Sequence, residues 1–222
     1  MHVDIFDGVF LDSPNALTFG PQMVDSIRKR FIDHQEITLD IHLCVERPER
    51  YASAMAEAGA SRIIFQWEAM YKTGDGVANN GALRSAVEFA KTITSLGLKC
   101  GISINPETDI TTIYPLLDTG LVDMVDILAV EPGFGGQQFN NVAIEKITML
   151  RQYIDDNVMH VKILVDGGIN QHTCSLVKDA GADILVAGEM PQKSVHLHAH
   201  YLSFDDDMCL SFFGLSHTIV PL

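Results

Sequence analysis

The chain has 222 residues, a mass of 24.4 kDa, 47% hydrophobic residues and 20% charged residues, which describes one globular domain with a core of its own. Lys plus Arg is 15 and Asp plus Glu is 29, for a formal charge of −14. That balance argues against nucleic acid and against anionic membrane surfaces as partners, since both demand clustered cationic side chains.

In chain order, the apolar pattern predicts a strand at Val3–Phe6, a helix over Pro21–His34, a strand at Leu39–Val45 and a helix over Pro48–Ala58. A strand at Arg62–Trp67, a helix over Gly81–Leu96 and a strand at Leu98–Ile104 follow. The remainder is a helix over Ile110–Asp118, a strand at Met124–Val130, a helix over Asn141–Asp156, a strand at Val161–Val165, a helix over Gln171–Ala180 and a strand at Ile184–Ala187. Pro21 and Pro48 suit the first turn of a helix, and Gly59, Gly97 and Gly181 suit left-handed stops. The repeated strand-then-helix order implies parallel strands joined by helical crossovers. Ile63-Ile64-Phe65 and Ile163-Leu164-Val165 have the all-apolar character of strands buried on both faces. A doubly wound sheet and a (β/α)8 barrel lacking one unit both accommodate these strands. Polar residues gather at strand ends (Asp4, Asp7, His42, Glu68, Asn105, Glu131, Asp166). That favours the barrel, whose active site is built on the C-terminal strand ends.

Five constellations carry chemistry. His2-x-Asp4 places an imidazole and a carboxylate on one side of a strand, and Asp40-x-His42 repeats the arrangement one strand later. Each alone also reads as an ordinary polar pair. Glu131-Pro132-Gly133-Phe134-Gly135-Gly136-Gln137 frees the backbone to approach an anion. Asp166-Gly167-Gly168 ends a buried strand with a carboxylate and two glycines, and Ala187-Gly188 ends the last strand, where barrels often bind phosphate. Two His and two Asp suit a borderline divalent metal such as zinc, iron or manganese, and two carboxylates suit two-sided proton transfer. The cysteines Cys44, Cys100, Cys174 and Cys209 form no CxxC pair and read as free thiols. No run of about 18 apolar residues and no basic-then-apolar leader is visible, so the expected compartment is the cytoplasm.

With these residues in view, the chain resembles the ribulose-phosphate 3-epimerase family. The resemblance rests on His2 to Gly8, Pro14-Asn15 with Thr18-Phe19-Gly20, Leu39 to Leu43, Ala58-Gly59-Ala60 with Phe65, Val130 to Gln137, Val165 to Gly168, and Ala180-Gly181-Ala182 leading into Val186-Ala187-Gly188. It implies a metal-dependent (β/α)8 TIM-type barrel and epimerisation at C3 of a ketopentose phosphate, D-ribulose 5-phosphate to D-xylulose 5-phosphate, through an enediolate in the pentose phosphate pathway. It further implies His2, Asp4, His42 and Asp166 as ligands of one divalent ion (Fe2+, Zn2+, Mn2+ or Co2+), and Asp4 and Asp166 as the proton acceptor and donor. His42, Gly133, Phe134, Gly135, Gly136, Gly167, Gly168 and Gly188 become contacts for a small sugar phosphate, and a homodimer or higher homo-oligomer is the implied assembly.

Departures accompany the likeness. The family's first strand and helix have no counterpart before His2, and the family's Gly-Ser and final helix are replaced after Gly188 by Glu189-Met190-Pro191. The expected organisation is therefore a barrel domain over 1–188, lacking its first βα unit and normal last helix, with an atypical tail over 189–222. Such a chain is expected to expose two sheet edges or to need a substitute strand, to hold His2 loosely and to turn over weakly. The alternatives are a variant acting only through subunit pairing, or an epimerase for a hexulose 6-phosphate. His196-x-His198-x-His200 in the tail reads as an edge strand or disordered segment rather than a metal site. Gln66 replaces a usual histidine, while Phe6, Cys44 and Leu128 replace usual methionines and keep an apolar wall.

Overall fold

The computed structural model describes residues 1–31, 37–73, 80–187 and 200–203. Seven strands lie parallel in sequence order: β1 (His2–Phe6), β2 (Asp40–Cys44), β3 (Arg62–Gln66), β4 (Lys99–Ile104), β5 (Met124–Leu128), β6 (Lys162–Asp166) and β7 (Ile184–Ala187). β8 (His200–Ser203) adds antiparallel to β7. The sheet curls on itself. His2 on β1 lies 3.8 Å from Asp166 on β6, and His42 on β2 lies 3.8 Å from Asp126 on β5, so distant strands face one another across a common interior. The expected α/β barrel-type architecture is met, as an open curl in which β1 and β8 end the strand order.

Helices cover the outer face: α1 (Pro21–Arg30), α2 (Ala52–Glu57), α3 (Trp67–Thr73), α4 (Asn80–Ser95), α5 (Tyr114–Leu117), α6 (Val142–Asp156) and α7 (Gln171–Ala180). α6 shows why they dock. Ala143, Ile147, Leu150 and Ile154 recur every three or four residues and all are buried, giving one apolar stripe toward the strands. Every residue of β2, β3 and β5 is buried, because one face meets helices and the other meets the interior.

The interior is layered. Ile64, Met124, Leu164, Ile184 and Val186 form a small apolar cluster inside the curl, separate from the large cluster under the helices. Below it, Arg62 donates to both Asp40 oxygens at 2.9 Å and to Asp123 at 2.9 and 3.1 Å. Asp40 thus shares a face with His42 but belongs to this ionic plug. Period two fixes the face and says nothing of depth.

Several expectations are corrected. The strand read as Arg62–Trp67 stops at Gln66, and α3 starts at once; buried Trp67 continued the apolar run and concealed the change. The helices read over Pro48–Ala58 and Ile110–Asp118 both open with a 3-10 turn, at Pro48–Arg50 and Ile110–Ile113. The β7 edge is not open, since β8 covers it. Nor is β1 loose: the Met1 ammonium donates to Thr38 O at 2.7 Å, and Thr18 Oγ1 accepts from Phe6 N at 2.8 Å and donates to Asp4 O at 3.0 Å. Asp7 adds to this, accepting from Val9 N and Phe10 N at 2.9 Å and from Glu46 N at 2.8 Å. Cys44 and Cys100 are free thiols, whereas Cys174 is disulfide-bonded. Gly188, Glu189 to Pro191, His196, His198 and Cys209 lie outside the described residues. Among the described residues, no helix is long and apolar enough to cross a membrane.

Candidate active site

Three strands deliver four side chains to one point. β1 carries His2 and Asp4, β2 carries His42, and Asp166 ends β6. One ligand atom from each lies within 4.8 Å of all the others. His42 Nδ1 is 2.8 Å from Asp4 Oδ1, His2 Nε2 is 3.3 Å from the same oxygen, and His2 Nε2 is 3.8 Å from Asp166 Oδ2. The structure thus brings together the four residues that the resemblance singles out. β1 and β2 pair in register Asp4↔His42, so the two motifs meet at one level.

Electrostatics separate the two carboxylates. Burial alone raises the proton affinity of Asp4, but the imidazoles of His2 and His42 outweigh it and hold the carboxyl far below the usual range. Asp166 has the opposite fate: burial first, then the negative charge of Asp4, push it up to about 7. Burial lowers both imidazoles, yet each ends raised. The Asp4 carboxylate dominates the rise for His2, and the Cys44 sulfur and Asp4 do so for His42. Cys44 Sγ lies 3.4 Å from His42 Nε2, and burial raises the thiol.

A cleft of about 630 Å³ opens over the cluster, lined by Asp4, His42 and Asp166, by the apolar Phe6, Cys44, Leu128 and Val186, and by residues 130–137 and 167–170. Gln137 Nε2 pins the 131–137 loop through Glu131 O at 2.6 Å and Phe134 O at 2.7 Å. Gly133, Phe134, Gly135, Gly136, Gly167 and Gly168 all line the cleft. At Gly167 (φ +96°) a Cβ would collide with Val130, and at Gly168 (φ +66°) it would sit 2.7 Å from Phe139 Cα; only glycine fits this pair. Directly after it, the Asn170 side chain caps α7 by accepting from His172 N and Thr173 N.

One acidic group escaped the sequence reading. Asp126 on β5 is fully buried beside His42. Its only sequence signal is a carboxylate inside the otherwise apolar run Met124–Leu128. Glu68 and Asn105, also flagged at strand ends, form a separate network, in which Glu68 accepts from Asn105 N at 2.9 Å and from Thr108, and Lys146 donates to Asn105 O at 2.8 Å.

Two imidazoles and two carboxylates from separate strands fit a divalent cation of the zinc, iron or manganese type in ligand chemistry and in mutual reach. A curled parallel sheet with such a cluster inside the curl, open to a cleft through Asp4, His42 and Asp166, defines a barrel-type enzyme with a candidate metal centre. The particular family follows from comparison. The model of the ribulose-phosphate 3 epimerase family matches residues 1–190. Ribulose-phosphate 3-epimerase of Bacillus subtilis (strain 168) is 35% identical over 189 residues, covering 85% of this chain and 77% of that protein. The Rhodobacter capsulatus enzyme is 37% identical over 188 residues (85% and 72%), and the cytoplasmic isoform of Oryza sativa subsp. japonica is 34% identical over 189 (85% and 73%). This chain belongs to the ribulose-phosphate 3-epimerase family, and with it to the epimerases among the isomerases. Among solved structures, a mutant tryptophan synthase α-subunit of Pyrococcus furiosus matches with a TM-score of 0.55 at 15% identity, over 82% of this chain and 72% of that one. The YdjI aldolase of Escherichia coli K12 gives 0.51 at 12%, over 82% and 62%. Those likenesses concern the fold alone.

Proposed function

We propose that the chain epimerises D-ribulose 5-phosphate at C3 to D-xylulose 5-phosphate with one divalent metal ion, the pentulose reaction of the pentose phosphate pathway. The observation that carries this reading is the convergence of His2, Asp4, His42 and Asp166 within 4.8 Å. A bound divalent ion, held by these four side chains, would supply Lewis-acid polarisation of the substrate oxygens at C2 and C3.

The protein's own residues handle the proton. Ionised Asp4 accepts the C3 proton, and the C–H electron pair delocalises toward the C2 oxygen. Asp166 then delivers a proton to C3 from the other face, which inverts the centre. In the metal-free cluster the two carboxyls are pushed in opposite directions, Asp4 down and Asp166 up, and such a difference in proton affinity suits one base and one acid. Phe6, Cys44, Leu128 and Val186 keep water from the carbanionic carbon. Backbone N–H groups of Gly133 to Gly136, Gly167, Gly168 and Gly188 are assigned to the phosphate, with the start of α7 nearby. The rice relative is named as a cytoplasmic isoform, and the same compartment is proposed here.

The test is turnover of ribulose 5-phosphate by the purified chain with added Mn2+, Fe2+, Zn2+ or Co2+. Asp4→Asn and Asp166→Asn are each expected to lower kcat by about 10²-fold or more. Near-normal turnover in either variant would show that the wrong acids are named. Turnover of a hexulose 6-phosphate in preference to the pentulose would reassign the substrate.

A further inference from the structure

Asp126 is a carboxylate that neither the fold nor the proton transfers explain. Its side chain is 0% exposed, and among the described residues the neutral Ser103 hydroxyl is its hydrogen-bonding neighbour. Oδ2 lies 3.8 Å from His42 Nδ1, the same nitrogen that faces Asp4 Oδ1 at 2.8 Å. Strand alternation sets its level. Leu128, two residues on, lines the cleft, and Met124, two residues back, sits in the interior apolar cluster. Asp126 therefore forms the floor of the His/Asp cluster. The guanidinium of Arg62 does not serve it, being engaged with Asp40 and Asp123 in the layer below. Across the β4–β5 pairing its register partner is Ser103, a neutral hydroxyl.

A carboxylate buried without a cationic partner is costly, and buried charges are kept where they pair or serve a metal. The positive charge within reach of Asp126 is that of the imidazoles and of whatever cation the cluster holds. We infer that Asp126 is a third acidic group of the metal centre, which from beneath the cluster adds its negative charge to the attraction for a divalent cation. The inference rests on the metal-dependent reading above. It makes the site more anionic than the two carboxylates of the ligand set, and it assigns a use to a charge that otherwise only weakens the metal-free fold. Outer groups around a metal site commonly contribute about 10–100-fold in metal affinity, and Asp126 would do so through its negative charge, since it faces the same His42 nitrogen as Asp4.

The experiment measures the Mn2+ dissociation constant by chelator competition on the full chain, for wild type, Asp126→Asn, Asp126→Leu and Asp126→Glu. Urea unfolding of the metal-free forms runs alongside. The expected result has two opposite signs: Asn and Leu weaken Mn2+ binding by about 10–100-fold and raise the metal-free unfolding midpoint, while Glu retains most of the affinity. A wild type that binds Mn2+ and an Asn variant that binds it equally well would overturn the inference and leave the metal-dependent reading intact. Weaker binding accompanied by a lower metal-free midpoint in both Asn and Leu would also overturn it, by showing a structural role. A wild type with no affinity for Mn2+, Fe2+, Zn2+ or Co2+ would instead overturn the metal-dependent reading, and this inference with it.

Discussion

Asp166→Asn in metal-free protein tests the electrostatics of the cluster directly. Burial and the Asp4 charge raise the Asp166 carboxyl from 3.8 to about 7. The native state therefore binds this proton more tightly than the unfolded chain does, and stability falls as pH rises between those two values. The whole shift corresponds to about 4 kcal/mol, of which roughly 2–3 kcal/mol falls between pH 5 and pH 8. The side chain is only 18% exposed, so solvent screening removes little of it. The raised imidazoles of His2 and His42 act with the same sign: their contribution is complete below the unfolded value of 6.5 and fades as pH rises through the folded one. Urea unfolding in excess chelator, followed by fluorescence of the single, buried Trp67, reads the effect. Wild type should lose stability steadily from pH 5 to pH 8, and Asp166→Asn should lose roughly 2–3 kcal/mol less. Saturating Mn2+ should reverse the wild-type slope, because the metal binds deprotonated ligands. Wild-type stability that is flat or rising over this range without metal, or an identical slope in the variant, would refute the reasoning.

Two further outcomes follow from other parts of the molecule. Gly168→Ala places a Cβ 2.7 Å from Phe139 Cα at φ +66°; a loss of about 1–3 kcal/mol in thermal unfolding and a raised KM for the sugar phosphate are expected, with the KM rise larger than any fall in kcat. Arg62→Met leaves Asp40 and Asp123 without their guanidinium; unfolding should cost about 3–5 kcal/mol less, while kcat per folded molecule stays near wild type because the plug lies below the site.

Two rules made part of the cluster legible, and the choice of its four members came from the family resemblance. Period two puts His2 with Asp4 on one face and Asp40 with His42 on another, and the strand-end position puts Asp166 at the rim. Depth was not legible. Asp40 and His42 share a face on adjacent inward positions, yet one closes an ion pair with Arg62 and the other joins the cluster. Asp126 gave no i+2 polar partner and vanished into an apolar run; only the curl, which brings β5 opposite β2, gives it meaning. α3 was hidden because Trp67 and Met70 are as apolar as a strand would be. β8 has no alternating pattern of its own in His200-Tyr201-Leu202-Ser203. Its pairing satisfies the backbone edge of β7, a tertiary cause that local propensity does not contain.

The charge of the molecule bears on the order of binding. At −14 overall, and with Asp4, Glu131 and Asp166 lining a cleft that has no Lys or Arg among its described lining residues, the approach of a phosphate ester is unfavourable at long range. Attraction must be local. Backbone N–H groups of the glycine loops supply part of it, since they carry partial positive charge without a side chain. The remainder, on the proposed reading, is the divalent ion. Asp4, Asp166 and Asp126 lower the free energy of a cation in the same volume where they raise that of an anion. The physical sequence is therefore cation first and sugar phosphate second. The carboxylates that repel the substrate from the metal-free cleft are the ones that make the loaded cleft attract it.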